Sequence, residues 1–535
     1  MDIRVANSIH TAMDALIRVL AISGLLILPF LYLSLRKQSK HKTNTKKLPP
    51  EPPGGLPILG HLYQFSKETH LVKTLATMDD KIGPVFIIRL GLPRVLVVSS
   101  WEAVKDCFTT NDKALAGRPN ICAGVYLGYD NAALAFTNGA FWRRMRKMVV
   151  VELLSTTKLE KWKHIWISEM NLSVKQLYGS VTKNRKVEVD MEEWIGYVNL
   201  NFISKIVAKK RYNYSVEHGF DNQDAVVLRQ AFKDFMTLTG EFSSADAFPF
   251  RIFHWLDIEG LVRTMKKVSD GTDVILQGWI DEHVRRGDLP AGEDPDFIDI
   301  MMKEVDEEFL AGQNYTRDII IKATAVAMLQ DAAETAVSNM VWIMAMLLNH
   351  KDVMKRIQEE IDTKVGRERW VEDSDTDNLV YLQAVVKECM RLYPVVPFIV
   401  PHEAIQDCEV CGYHIPKGTQ LFVNVWKLHR DPKIWPEPEK FKLERFLTES
   451  VPDGLARQFG WMPFGLGRRS CPGSGYALKM AHFIFARLLQ GFDFATPSGM
   501  PVDMSEGPGI TMPKAKPIKA LLTPRLPAAI YESSN

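Results

Sequence analysis

Phe464-Gly465-Leu466-Gly467-Arg468-Arg469-Ser470-Cys471-Pro472-Gly473 is the stretch that decides how this 535-residue chain folds and what it does. A cysteine that serves as a thiolate ligand needs a lowered pKa, shelter from water and protection from oxidation. Glycines at 465, 467 and 473 let the backbone turn tightly and approach a flat cofactor. Backbone amides can then donate to the sulfur, and Phe464 can cover it from one side. Arg469, just upstream of the cysteine, can reach a cofactor carboxylate. Pro472 and Gly473 lead into a helix whose N-terminal dipole helps hold the thiolate charge. The same glycines could form a dinucleotide-binding loop, but no strand–helix–strand unit surrounds them.

The segment resembles the F-x-x-G-x-R-x-C-x-G signature of the cytochromes P-450, and every fixed position matches. The resemblance implies haem b, with Cys471 as the axial ligand of its iron. Further pieces fit it in the expected order. Glu388-Cys389-Met390-Arg391 is an E-x-x-R whose spacing puts both side chains on one helical face. Taken alone such a pair is usually a surface ion pair, but the resemblance implies a buried cluster with Arg445 as third member. Trp142 and Arg146 stand at i and i+4, and in the family both approach a haem propionate; a core tryptophan on an ordinary helix fits the same spacing. His402, after Pro401, matches a position where the family often carries a propionate-binding residue.

Ile319 to Asn349 contains no proline or glycine and reads as one long helix. Within it Asp331-Ala332-Ala333-Glu334-Thr335-Ala336 resembles the family's oxygen-handling stretch, with Glu334 and Thr335 as the acid–alcohol pair that delivers protons to dioxygen. Asp331 stands where a small residue is usual. A carboxylate beside that pocket is costly unless paired. It either turns away or meets solvent, or it faces the substrate and pairs with a protonated amine.

The N-terminus is expected to be an anchor. Val19 to Leu35 carries no charge and is about the minimum length for a membrane span. The basic run from Arg36 to Lys47 follows, which places that side in the cytosol. A cleaved signal peptide would not pass directly into such a run. The expected layout is a short lumenal N-terminus over 1–18, a transmembrane helix over 19–35, a basic and proline-rich hinge over 36–56, and one haem-containing catalytic domain over 57–535. That domain should be mainly α with smaller β-sheets. Val85–Leu90 and Arg94–Ser99 read as a hairpin around Gly91-Leu92-Pro93.

A net charge of +2 gives no reason to expect nucleic acid, and six cysteines are too few for a disulfide framework. Cys408 and Cys411 read as incidental thiols in a turn or hairpin. No flavin or NADPH-binding segment is visible. Electrons must then come from NADPH through a separate cytochrome P-450 reductase, expected in the same endoplasmic reticulum membrane. Arg143, Arg144 and Lys147 form a candidate docking face.

Gly412-Tyr413-His414-Ile415-Pro416, Trp426 to Pro432 and Val502 to Gly509 resemble the plant family of nicotine N-demethylases, protopine 6-hydroxylases and flavone hydroxylases. The resemblance implies hydroxylation or oxidative demethylation of a small lipophilic specialised metabolite, such as an alkaloid, flavonoid or terpenoid. Substrate contacts are expected from Cys122–Leu134, near Phe242, and from Ala327–Thr335, Val395–Ile399 and Ile510–Met512. A reductase-independent isomerase or dehydratase and a non-enzymatic haem sensor are the alternatives. The acid–threonine pair argues against both.

Overall fold

The computed structural model describes residues 46–65, 70–184, 187–290, 292–448, 454–507 and 509–532. The expected lumenal segment and transmembrane helix, and the hinge up to residue 45, lie outside them. Among the described residues no helix is long and apolar enough to cross a membrane.

The body is mainly helical with small sheets. At its centre lies Met191–Ala208, capped by Asp190, whose carboxylate accepts from the amides of Glu192 and Glu193. Nearly every side chain of this helix is buried, including Trp194, Tyr197 and Phe202. A helix apolar all round belongs inside a large core, because each fully buried large apolar side chain contributes roughly 1.5–3 kcal/mol. It packs against Ala333–Asn349, which is buried almost as completely.

The expected hairpin forms, with Val85–Arg89 antiparallel to Arg94–Val98. Gln420–Val423 then adds parallel to Arg94–Val98, and His402–Glu403 pairs antiparallel at the edge. Arg94-Val95-Leu96-Val97-Val98 shows why its apolar run is continuous rather than alternating. Val95 and Val97 enter one hydrophobic cluster while Leu96 and Val98 enter another on the opposite face. Cys408–Val410 and Tyr413–Ile415 form the second expected hairpin, with Cys411 and Gly412 at positive φ in its turn.

Two differences from the sequence reading matter. The long helix is not uniform: Arg317–Val326 runs into a π-helical turn at Ala327–Ala332 before α-geometry resumes at Ala333. Such a turn admits an extra residue and is frequent at functional sites. Small side chains at Ala325, Ala327, Ala332 and Ala333 leave room for it. The proline-rich stretch from Lys47 onward, expected as a hinge, is docked on the body. The carbonyl of Lys47 accepts from His414 N at 2.7 Å, and that of Pro50 from Ile87 N at 2.9 Å. The carbonyl of Pro52 lies 3.1 Å from His61 Nε2.

Candidate functional site

The π-helical turn opens onto a cavity of about 350 Å³. Its walls are largely apolar: Phe235, Met236, Val395, Val396, Ile399 and Ile510 are among them. The signature segment forms its floor, from Phe464 to Gly473 with Met462 and Pro463 before it.

Cys471 is held there by its own backbone. Its amide donates to the carbonyl of Phe464 at 2.8 Å, closing a loop in which Gly465 and Gly467 both adopt φ of +68°. Gly467 is required twice over, since a Cβ at that position would collide with the Asp112 carboxylate. That carboxylate in turn accepts from Arg468 N at 3.1 Å and Arg468 Nε at 2.9 Å. The side chain of Cys471 is open to the cavity it lines, yet protein surrounds it. Desolvation therefore raises the thiol pKa, only partly opposed by the Gly473 amide and Arg146. A bound cation at the sulfur would reverse that balance and favour the thiolate.

Beside the loop stand Arg118, Arg146 and Arg469. Arg469 Nε donates to Ala116 O at 2.9 Å and Nη2 to Thr137 O at 2.8 Å, while its guanidinium sits 3.8 Å from the centroid of the Trp142 ring. Arg118 donates to the carbonyls of Ala135, Val400 and Pro401. Arg146 reaches Ser470 Oγ at 3.5 Å. Among the described residues none of these arginines has a carboxylate partner, and Arg469 Nη1 is buried without a hydrogen bond. Burial and mutual repulsion lower the pKa of both Arg118 and Arg469 to about 9. Desolvation also lowers that of Arg146. Clustered cations with no anion are costly as they stand, and they fit a ligand that brings carboxylates. Together with a free cysteine in the same cavity, they fit haem.

His402 also lines the cavity, but as a poor donor. Its Nδ1 lies 2.8 Å from Leu115 O, so Nδ1 carries the proton and neutral Nε2 is an acceptor. Desolvation, then Arg118, pushes its pKa well below the ordinary histidine value. A bound anion would be needed to protonate it.

On the opposite wall the expected acid–alcohol pair separates. Thr335 lines the cavity and its hydroxyl donates to Asp331 O at 2.5 Å. Glu334 does not reach the cavity. It is buried against Arg229 Nη1 in an ion pair, beyond which lie Glu192, Glu193 and Lys233. Desolvation raises the Glu334 pKa, opposed by Arg229. The carboxyl that does face the cavity is Asp331, pushed up to about 7 by desolvation.

Away from the cavity, Glu388 and Arg391 are fully buried and bidentate, at 2.7 and 2.8 Å. Arg445 Nε lies 3.4 Å from Glu388, an ion-pair contact without hydrogen-bond geometry. The other group of metal-type side chains among the described residues, His283, Asp296 and Asp299, is accounted for as a helix cap.

Several expected substrate contacts lie elsewhere. Phe398 packs on Phe422 in the sheet, with ring centroids 5.7 Å apart. Met512 is buried with its carbonyl accepting from Trp342 Nε1 at 3.1 Å. Phe242 is exposed, and Cys122 is buried against Ser243. Of the 122–134 loop only Leu134 reaches the cavity. Arg118 was missed by sequence reasoning. Its only signal is a charge set between Gly117 and Pro119 in an otherwise uncharged run from Ala114 to Ala123.

The chain matches the family described as Cytochrome P450 over residues 49–521. It is 45% identical over 520 residues to a nicotine N-demethylase of Nicotiana tomentosiformis, covering 96% of this chain and 99% of that one. It is 43% identical over 534 residues to vinorine hydroxylase of Rauvolfia serpentina, covering 97% and 100%. Xanthotoxin 5-hydroxylase of Arabidopsis thaliana is 43% identical over 519 residues, covering 94% of this chain and 98% of the relative. Among solved structures, a zebra fish cytochrome P450 with progesterone superposes with a TM-score of 0.71 at 25% identity, covering 85% of this chain and all of that one.

Proposed function

The chain belongs to the cytochrome P450 family and is a haem monooxygenase, and from that premise we propose that Cys471 ligates the iron and that the enzyme oxidises a small lipophilic plant metabolite. The reaction class is hydroxylation or oxidative demethylation, and the substrate class is alkaloid, flavonoid or terpenoid. The observation that carries this reading is one cavity shared by a free cysteine, arginines that have no counter-charge among the described residues, and an apolar wall.

Bound haem, with thiolate donation, supplies the activation of dioxygen and the insertion of one oxygen atom into substrate. The chain's own residues do the rest. Arg118, Arg146 and Arg469 hold the cofactor's carboxylates, with Trp142 stacked beneath Arg469. Phe464 and Met462 keep water from the sulfur side of the cavity. Thr335 is tethered to the Asp331 carbonyl and keeps its oxygen lone pairs free to accept a proton-bearing group. Glu334 holds a proton site behind the helix, tied through Arg229 to half-exposed Glu192 and Glu193. The apolar wall orients a substrate by shape.

The remaining readings are part of the same proposal. Residues 19–35 anchor the enzyme in the endoplasmic reticulum membrane with residues 57–535 in the cytosol, and an NADPH-dependent reductase supplies electrons. Arg143 and Lys147 are exposed on the helix that carries Trp142 and suit an acidic partner. Arg144 is engaged instead, donating to Glu308 O and lying over the Phe309 ring.

The test is turnover of an alkaloid, flavonoid and terpenoid panel with reductase, NADPH and oxygen-18 gas. Incorporation of one labelled oxygen into a hydroxylated product, or formaldehyde released in step with NADPH consumed by demethylation, is the expected result. NADPH-independent conversion without label would overturn the reading in favour of an isomerase or dehydratase.

A further inference from the structure

The cavity contains a carboxyl that no described residue answers. Asp331 lies on the π-helical turn and lines the cavity. Among the described residues no cation offsets its burial, and desolvation is the cause of its raised pKa. The cavity arginines sit around the signature loop, bonded to Ala116, Thr137, Ala135, Val400 and Ser470. Glu334, the neighbouring acid, shows the contrast, since it has Arg229. The largely apolar wall of the same cavity includes Ala327, Ala332, Val395 and Ile399.

A buried carboxylate without a partner is unstable, and an incoming cation is the one ligand charge that relieves it. The carbonyl of Asp331 is already used by Thr335, which fixes the turn and with it the side chain's starting point. We propose that Asp331 is a specificity residue that pairs with a protonated secondary or tertiary amine on the substrate, so that the substrate class is a basic nitrogen compound with an apolar skeleton. This rests on the monooxygenase reading of the cavity and narrows it.

The test compares ligand pairs that differ only in charge: tertiary amines such as N-benzylpiperidine against their carbon isosteres such as benzylcyclohexane. Binding to the holoenzyme is read by equilibrium dialysis, in wild type, Asp331→Asn and Asp331→Glu. The expected result is an amine preference in wild type that falls about 30-fold or more in Asp331→Asn, the usual loss when a buried charge pair is broken. Asp331→Glu should keep much of it, and the isosteres should bind the two forms within about 3-fold, the ordinary context scatter for such a change. Either no amine preference in wild type, or a preference that survives Asp331→Asn, overturns the proposal. An equal loss for amines and isosteres also overturns it, and means that the carboxyl shapes the cavity rather than reading charge. The reduced carbon monoxide spectrum of each variant is recorded alongside. A thiolate-type band with no Asp331-dependent preference sinks this inference and leaves the monooxygenase standing, whereas loss of that band in wild type sinks the reading beneath it.

Discussion

Replacing Glu388 with glutamine should cost the fold about 3–5 kcal/mol, the usual penalty for removing one partner of a buried ion cluster. Both Glu388 and Arg391 have no exposed surface. The glutamate accepts from Arg391 at 2.7 and 2.8 Å and from Lys442 N at 2.9 Å, and its charge also answers Arg445. Glutamine keeps the shape but presents an amide donor toward guanidiniums and leaves them without a counter-charge. Against a total stability of about 5–15 kcal/mol this is a large fraction. An apolar swap of all three residues offers no escape here. Arg391 donates to the carbonyls of His429, Pro438 and Lys440, and Arg445 to those of Pro436 and Glu437. Removing the arginines would strand those acceptors. The assay is urea denaturation followed by far-ultraviolet circular dichroism and haem absorbance together, because only coincident transitions define a single free energy. A loss below about 1 kcal/mol with coincident transitions would refute the reasoning, since it would mean the charges were solvated after all.

Gly467→Ala should lose about 1–3 kcal/mol, because a non-glycine residue is strained at positive φ and its Cβ would meet Asp112. Gly465→Ala has the same φ but nothing within 3.9 Å of a Cβ, so thermal melts of the holoenzyme should rank it as the milder change. Arg118→Leu should weaken haem binding about 10- to 150-fold, from the roughly 1.5–3 kcal/mol of a hydrogen bond to a charged group. Transfer of haem to an excess of scavenger protein measures it, and an unchanged rate would remove Arg118 from the carboxylate site. For Asp331 the folded pKa lies above the ordinary carboxylate value. The folded ligand-free protein therefore binds a proton that the unfolded chain releases. Its stabilising contribution is complete below about pH 4 and is lost as pH rises toward about 7. Asp331→Asn should flatten that slope in melts taken between those limits, and an unaltered slope would contradict it.

Much of the site was legible because its constraints are local. The signature loop is specified by adjacent residues: of the three glycines expected to let the backbone turn, 465 and 467 do so at positive φ, whereas Gly473 caps the following helix at a φ of −94° that other residues adopt. The E-x-x-R spacing and the hairpins are likewise set by short-range periodicity. What escaped depends on long-range packing. Arg118 meets Val400 and Pro401 across 282 and 283 residues of chain, which no pattern announces. The π-helical turn at Ala327–Ala332 has no proline or glycine to mark it, and the Arg229 that takes Glu334 lies 105 residues away in the chain. Phe398 and Met512 looked like cavity residues because an apolar side chain reads the same whether it lines a cavity or fills a core.

The most direct measurement is the absorption spectrum of the purified protein reduced under carbon monoxide, with Cys471→Ser beside wild type. The prediction is a strongly red-shifted Soret band in wild type that is lost in the variant. A Soret band at the ordinary haem position in well-folded wild type would contradict thiolate ligation by Cys471, and the assignment of the cavity would fall with it.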